Sequence, residues 1–265
     1  SNLAYLPSRR CDSSQRYSPV MNAQAPLQIN AVKIVGAGLI GTSIGLALAQ
    51  QGVSITIEDA DEKALALARD LLAPYIKASG GEGKEFDLVV IATPPASVIG
   101  ALKSEFVINP KSVFIDVSSV KTNLIHEIEV LPALSQSFVG THPMAGREVS
   151  GASSAQADLF NGRAWIITPT SNSSDLAIAI AKQLIKALGA SSYEMNAQDH
   201  DHLMARISHL PQIASTLIAS EIQELGAGFE LSGQGLRDMT RIAGSDPLLW
   251  SEILLENKNE VINTL

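Results

Sequence analysis

The sequence predicts an α/β fold: an N-terminal, doubly wound, mostly parallel sheet followed by a C-terminal all-helical domain. Three observations carry this. From Ala31 to about Met195, short β-branched runs alternate with stretches of helical period, the pattern of a parallel sheet covered on both faces. A glycine-punctuated turn joins the first run to the first helix. Past residue 195 the strand signal stops and only helical periodicity continues. The domains are therefore placed at 31–195 and 196–265, with residues 1–30 set apart.

Taken in order, Ala31–Val35 is a short apolar strand and Gly38–Gln50 a helix. Ser54–Ile57 is a second strand and Asp61–Leu72 a second helix. Further strands are expected at Asp87–Ala92, Val113–Val117, Phe138–Thr141 and Ala164–Thr168, with helices at Ala96–Lys103 and Thr122–Glu129. Residues 175–188 form an apolar-periodic helix stopped by Gly189, and Ser191–Met195 is a last strand. Asn196–Leu225 then reads as one long helix kinked at Pro211, and Leu248–Ile262 as another.

Residues 1–30 are rich in Ser, Asn, Gln and Pro, and Arg9, Arg10 and Arg16 face a single acid, Asp12. They read as an appended or upstream extension, with Met21 a natural start, or as an organelle transit peptide. The first reading goes with a cytoplasmic location, the second with a plastid.

The chain carries 19 Lys+Arg against 27 Asp+Glu, a formal charge of −8, and no basic cluster. Nucleic acid is not an expected partner, because phosphate binding needs clustered cations. The best apolar run, Ile34 to Ala49, is broken by Thr42, Ser43 and four glycines. It falls short of the roughly 20 apolar residues of a membrane span, so no membrane partner is expected. One cysteine, Cys11, leaves no intrachain disulfide and no multi-cysteine metal site.

Gly36-Ala37-Gly38-Leu39-Ile40-Gly41 follows a strand and opens a helix. In that setting the glycines allow a tight turn and close backbone approach to a pyrophosphate, which the helix N-terminus then meets with free N–H groups. Glu58 and Asp59 end the second strand, Asp59 lying 18 residues past Gly41. A carboxylate there accepts from ribose hydroxyls and repels a 2′-phosphate, which favours NAD over NADP. Thr93 and Pro94 end the third clear strand, at the edge where open parallel sheets bind ligands. Ser118 and Ser119 end the next, where hydroxyls cap a helix or meet a ligand.

His142, in Thr141-His142-Pro143-Met144-Ala145-Gly146, stands at a strand's carboxyl end, poorly placed for a core. Imidazole is the side chain best suited to take a proton near neutral pH. His126 reads as a surface residue. His200, His202 and His209 invite a metal reading, but a third ligand and a carboxylate partner are wanting, so no metal is expected. Arg237 and Arg241, four apart, share a face if helical. They suit a small dicarboxylate, or else ion pairs with Asp238 and Asp246.

These residues together resemble the prephenate/arogenate dehydrogenases of tyrosine biosynthesis. The matching stretches are VGAGLIGTSIGLAL, VVIATPP, DVSSVK, GTHPMAGRE, ISHLPQ and GLRDMTRIAGSDPLLWSEILLENK, from about residue 32 to 258. The resemblance implies a Rossmann-type dinucleotide-binding domain and a helical domain that completes the substrate site and makes a homodimer. It also implies hydride transfer from a ring carbinol to the nicotinamide, with loss of the ring carboxylate as CO2. His142 then matches the catalytic histidine and Ser119 a serine touching both the substrate hydroxyl and the nicotinamide region. Arg241 matches a carboxylate-binding arginine, with Arg237 where relatives often have Lys. Trp250 and His209 match substrate-pocket residues. The cofactor set is Gly36, Gly38, Leu39, Ile40, Gly41, Glu58, Asp59, Thr93, Pro94 and Ser118.

Two departures stand out. Gln212 replaces the second histidine of an S-H-L-P-H stretch, which leans the substrate toward arogenate or dual use. The chain also stops at Leu265 where relatives often continue. The competing expectations are another dehydrogenase of the same plan acting on a different β-hydroxy acid, and a catalytically silent NAD-binding module.

Overall fold

The computed structural model of the protein describes residues 29–75, 85–146, 151–223 and 232–265. The extension reading of residues 1–30 thus falls almost wholly outside the described residues. Among those residues one seven-stranded sheet runs in the order β2-β1-β3-β4-β5-β6-β7. The strands are β1 (Ala31–Val35), β2 (Ser54–Glu58), β3 (Leu88–Ile91), β4 (Val113–Asp116), β5 (Phe138–Pro143), β6 (Ala164–Pro169) and β7 (Ser191–Glu194). The helices between them are α1 (Leu39–Gln50), α2 (Glu62–Leu72), α3 (Val98–Ile108), α4 (Thr122–Glu129), α5 (Pro132–Ser137) and α6 (Asp175–Ala187).

Period-two alternation explains the layering. Val32, Ile34, Leu88, Val90 and Ile115 join a core with Ile44, Leu48, Leu72 and Leu184 from α1, α2 and α6. Val89, Ile91 and Phe114 point the other way, to Val98, Leu102, Ile125 and Leu134 from α3, α4 and α5. β3 and β4 are buried throughout, LVVI and VFID, as strands covered on both faces must be. Gly45 lets α1 lie close on the sheet: a Cβ there would stand 3.3 Å from Leu72 and 3.4 Å from Ile34 side-chain carbons.

One pairing departs from parallel. β5 and β6 are antiparallel, Thr141 opposite Ile167. The described part of the link between them holds only a single 3-10 turn, Ala152–Ser154. Parallel pairing needs a crossover of a dozen or more residues, usually a helix; α6 supplies one for β6 and β7, which are parallel.

The C-terminal segment is helical: α7 (Ala197–Met204), α8 (Leu210–Gln223), α9 (Gln234–Thr240), α10 (Pro247–Glu256) and α11 (Lys258–Thr264). The expected kink at Pro211 takes the form of a π turn, Ala205–His209, inserted just before it. Proline has no N–H to give and clashes with the preceding turn, so the chain widens there. Two expectations are corrected. The helix placed at Leu248–Ile262 is two helices broken at Asn257, whose side chain is drawn into the interior. Arg237 and Arg241 do not lie on one α-helix either: α9 ends at Thr240 and Arg241 begins a 3-10 turn.

Candidate active site

β1, β3, β4 and β5 are mutually parallel neighbours, so their carboxyl ends form one continuous edge. The strand order reverses between β1 and β3, the switch point where open α/β sheets bind ligands.

At the end of β1, Gly36 has φ +113, and a Cβ on it would stand 2.3 Å from the carbonyl oxygen of Ala92. Only glycine fits this close approach. A Cβ on Gly41 would stand 2.0 Å from the Gly36 carbonyl oxygen, whereas one on Gly38 would meet nothing within 4 Å among the described residues. Gly38 is also the N-cap of α1, with no side chain to cap it. The first turn, Leu39 and Ile40 included, therefore offers uncapped N–H groups above open space, as a pyrophosphate requires. Thr93 adds an observation pointing the same way: its Oγ1 is buried without a hydrogen-bond partner, a polar atom awaiting a ligand. Pro94 beside it is exposed. These residues fit a dinucleotide.

The two acids at the end of β2 separate. Asp59 turns into the cradle, where Oδ2 accepts from the Ala37 N–H at 2.6 Å and Oδ1 from the Asp61 N–H at 2.8 Å. Glu58 does not. Its carboxylate pairs with buried Lys33 at 2.9 Å, and Lys33 also pairs with Glu105 at 2.8 Å. A buried ammonium demands partners, so Lys33 takes Glu58 away from the ribose position.

The end of β4 holds a buried ionic knot. The Lys121 ammonium bonds the Asp116 carboxylate, and both side chains are fully buried. The Ser118 hydroxyl donates to Asp116 and accepts from Lys121 at 2.9 Å. Asp116 also accepts from the Thr141 N–H at 3.2 Å, which fixes β5 beside β4. Ser118, expected to touch cofactor, is thus committed to the knot. Ser119 next to it is partly exposed. Burial pulls the Lys121 ammonium below its ordinary pKa, against the pull of Asp116.

His142 ends β5, partly exposed. Its Nδ1 lies 2.9 Å from Nε2 of His200, and His200 Nδ1 lies 2.7 Å from Oδ1 of Asp201. Asp201 further accepts from the Lys121 N–H at 2.9 Å and the Thr122 N–H at 2.8 Å. Burial first, then the neighbouring His200 and Lys121, pushes His142 well below its ordinary pKa. Burial likewise lowers His200, although the Asp201 bond opposes it. Burial pulls the Asp201 carboxyl up, but the bonds from His200 and Thr122 outweigh it and hold it below its usual range.

The helical segment closes over this edge. His209 is buried, accepts from Asn257 Nδ2 at 3.1 Å, and meets Trp250 edge-on at 6.1 Å. Desolvation brings its pKa to about 4. Asn257 also donates to the Asp201 carbonyl at 2.8 Å. Gln212 is buried, and its Nε2 donates to the Ile242 carbonyl at 3.0 Å and to Thr216 Oγ1 at 3.4 Å. Arg237 and Arg241 are exposed, on α9 and the turn after it. His202 pairs with Glu260 at 2.8 Å, away from His200 and His209, and His126 is exposed.

The structure therefore brings together the cradle, Asp59, Thr93, Ser119, His142 and, from the helical side, His209 with Trp250 against it, while Gln212 lies against Thr216 and the Ile242 carbonyl. Sequence reasoning missed Asp116, Lys121, Asp201 and Asn257, and read His200 only as a metal candidate. The acid and base within DVSSVK, and His200 adjoining Asp201, were the available signals.

The chain matches the family model of the prephenate dehydrogenase nucleotide-binding domain over residues 44–194. It matches the prephenate dehydrogenase dimerization domain over 196–265. It is 34% identical over 235 residues to a probable prephenate dehydrogenase, NovF, of Streptomyces niveus, covering 88% of this chain and 64% of that one. A cyclohexadienyl dehydrogenase of Zymomonas mobilis is 31% identical, with 88% of this chain and 83% of that one covered. Among solved structures, prephenate dehydrogenase from A. aeolicus in complex with hydroxyphenyl propionate and NAD+ superposes with a TM-score of 0.80. It is 29% identical and covers 91% of this chain and 87% of its own. The chain spans just under two thirds of the length of the S. niveus relative.

Proposed function

The chain belongs to the prephenate dehydrogenase family, and from that premise we propose that it oxidatively decarboxylates prephenate or arogenate, passing a hydride to NAD, in tyrosine biosynthesis. One observation carries the reading. The consecutive carboxyl ends of β1, β3, β4 and β5 set a dinucleotide cradle, Thr93, Ser119 and a neutral His142 along one edge. NAD and not NADP fits Asp59, whose carboxylate lies against the glycine turn, where it would repel a 2′-phosphate. The unit boundary is taken at 195/196.

When bound in the cradle, the nicotinamide would supply the hydride acceptor. The protein has three tasks: to hold the ring in register, to take the ring hydroxyl's proton, and to hold the carboxylates. His142 takes the proton, Ser119 positions the hydroxyl, and the carboxylates fall to Arg241, with Arg237 nearby. His209, neutral at about pH 7 and accepting at Nδ1 from Asn257, keeps its proton on Nε2 as a donor for the substrate.

The amide of Gln212 favours arogenate over prephenate. The Ile242 carbonyl can only accept, so Nε2 faces it and Oε1 is the atom left for a ligand. An acceptor suits the side-chain ammonium of arogenate better than the keto group of prephenate. The helical segment is proposed to make a homodimer, in line with the description of the model it matches.

The test is absorbance at 340 nm with prephenate and arogenate, each against NAD and NADP. A rate with NAD, faster for arogenate, is expected. No rate with any pair, from folded protein that still binds NAD, overturns the reading. Gln212→His is expected to shift the ratio of kcat/KM values toward prephenate by about tenfold, the worth of one hydrogen bond.

A further inference from the structure

Asp201, His200 and His142 form an unbroken line of side chains from the helical segment to the end of β5, and nothing in the proposed chemistry yet uses the first two. We propose that Asp201 and His200 are positioning residues that lock the tautomer of His142, so that its Nε2 is always the free acceptor. The proposal rests on the reading above for its catalytic meaning, though not for its geometry.

The lock follows from donor and acceptor valence. Asp201 accepts from two backbone N–H groups at the start of α4, 2.9 and 2.8 Å away, and a carboxylate so bonded stays ionised. An ionised carboxylate only accepts, so His200 Nδ1, 2.7 Å away, carries the proton. A neutral imidazole has one N–H, so His200 Nε2 is an acceptor. His142 Nδ1, 2.9 Å from it, must then be the donor. Nε2 of His142 is left with its lone pair.

The charged groups around the pair hold this state. The Lys121 ammonium disfavours added positive charge at His142. Lys121 also disfavours it at His200, while Asp201 and Asp116 favour it there. His200 is fully buried, and both its nitrogens are paired.

The chemistry needs such a lock twice. In the proposed reaction the carbinol C–H bond breaks with hydride transfer to NAD, and the hydroxyl proton goes to His142 Nε2, leaving a ring ketone. The bond to the ring carboxylate then breaks and CO2 departs. Its electron pair enters the ring, and the resulting phenolate takes the proton back from Nε2. No proton is released overall. Before and after it receives the proton, His142 makes the same Nδ1–H bond to His200, so the site need not reorganise as charge develops.

The experiment has two arms on the full chain. Two-bond proton–nitrogen correlation spectra of the ligand-free protein report each imidazole tautomer. Wild type is expected to show the Nδ1–H form for both His142 and His200; an Nε2–H form of His142 overturns the proposal. His200→Leu removes the acceptor, and His142 is expected to lose its tautomer preference. Its kcat should fall about 10²–10⁴-fold, the range of misassigned general-base histidines. KM and the Kd for NAD should stay within about twofold. His200→Gln can accept from His142 and donate to Asp201, and is expected to restore the tautomer and bring kcat to within about tenfold of wild type. Equal losses in both variants overturn the lock. If wild type turns over neither substrate, the function fails, while the spectra still decide the lock.

Discussion

His142 and His209 both stay neutral: at His142 burial and the neighbouring His200 and Lys121 all push the same way, and at His209 burial outweighs the pull of Asp201. For His142 as the proposed base, that neutrality is the state the reaction requires. His142→Asn is expected to lower kcat about 10²–10⁴-fold, the usual worth of a general base, with the Kd for NAD unchanged by calorimetry. Unchanged kcat would move the base elsewhere. For stability the consequence is a pH slope. A folded-state pKa below the unfolded value near 6.5 means the unfolded chain binds more protons between the two, so stability rises with pH across that window. It is lost as pH falls from about 6.5 toward 4. For His209 the span amounts to on the order of 3 kcal/mol. His142 and His200 act in the same direction. Melting temperature against pH should show this slope, and His209→Gln should flatten it; a parallel curve would exclude His209 as its source. His142 was legible in the sequence because its signal is local, a histidine between a strand and a Pro–Gly turn. Its supports were not, because His200 lies 58 residues from His142 and Asp201 lies 80 from Lys121. No periodicity links such pairs.

At the scale of elements, two glycines only two residues apart, Gly36 and Gly38, do opposite work. Gly36 is required by the fold, since its positive φ and the Ala92 carbonyl exclude a Cβ. Gly38 has ordinary extended angles, φ −77 and ψ −168, and open space where a Cβ would go. Gly38→Ala is therefore expected to melt within about 2 °C of wild type while its Kd for NAD rises at least tenfold, because the methyl occupies the pyrophosphate position. Gly36→Ala should lose several kcal/mol of stability, as misplaced φ and a backbone clash do. If both variants bind NAD like wild type, the cradle lies elsewhere. The alternating strands and helices were readable because each period repeats over several residues. The break between α10 and α11 was not, because it is set by one buried side chain, Asn257, reaching Asp201 and His209. The antiparallel β6 escaped notice for a similar reason, since strand direction depends on what the link contains.

Across the whole molecule, the last two helices are two-sided. Ile253, Asn257 and Val261 point inward to the core and the active site. Leu248, Leu255, Ile262 and Leu265 are 76%, 69%, 69% and 74% exposed. Each such side chain is worth about 1.5–3 kcal/mol on full burial, so apolar residues left exposed in this number fit an association surface. The matched family model for this segment carries dimerization in its description. Sedimentation should therefore give about twice the 28.0 kDa chain mass, and Leu255→Glu with Ile262→Glu should give the single mass. The inward side of the same helices fixes Asp201 and His209 through Asn257, so in a dimer built on this face, separating the copies would loosen both groups. Specific activity is then expected to fall on dilution through the dimer dissociation constant and to be low in the double variant, with NAD binding at the β1 cradle largely kept. A monomer with full activity at every concentration would show that the apolar face serves something other than a second copy.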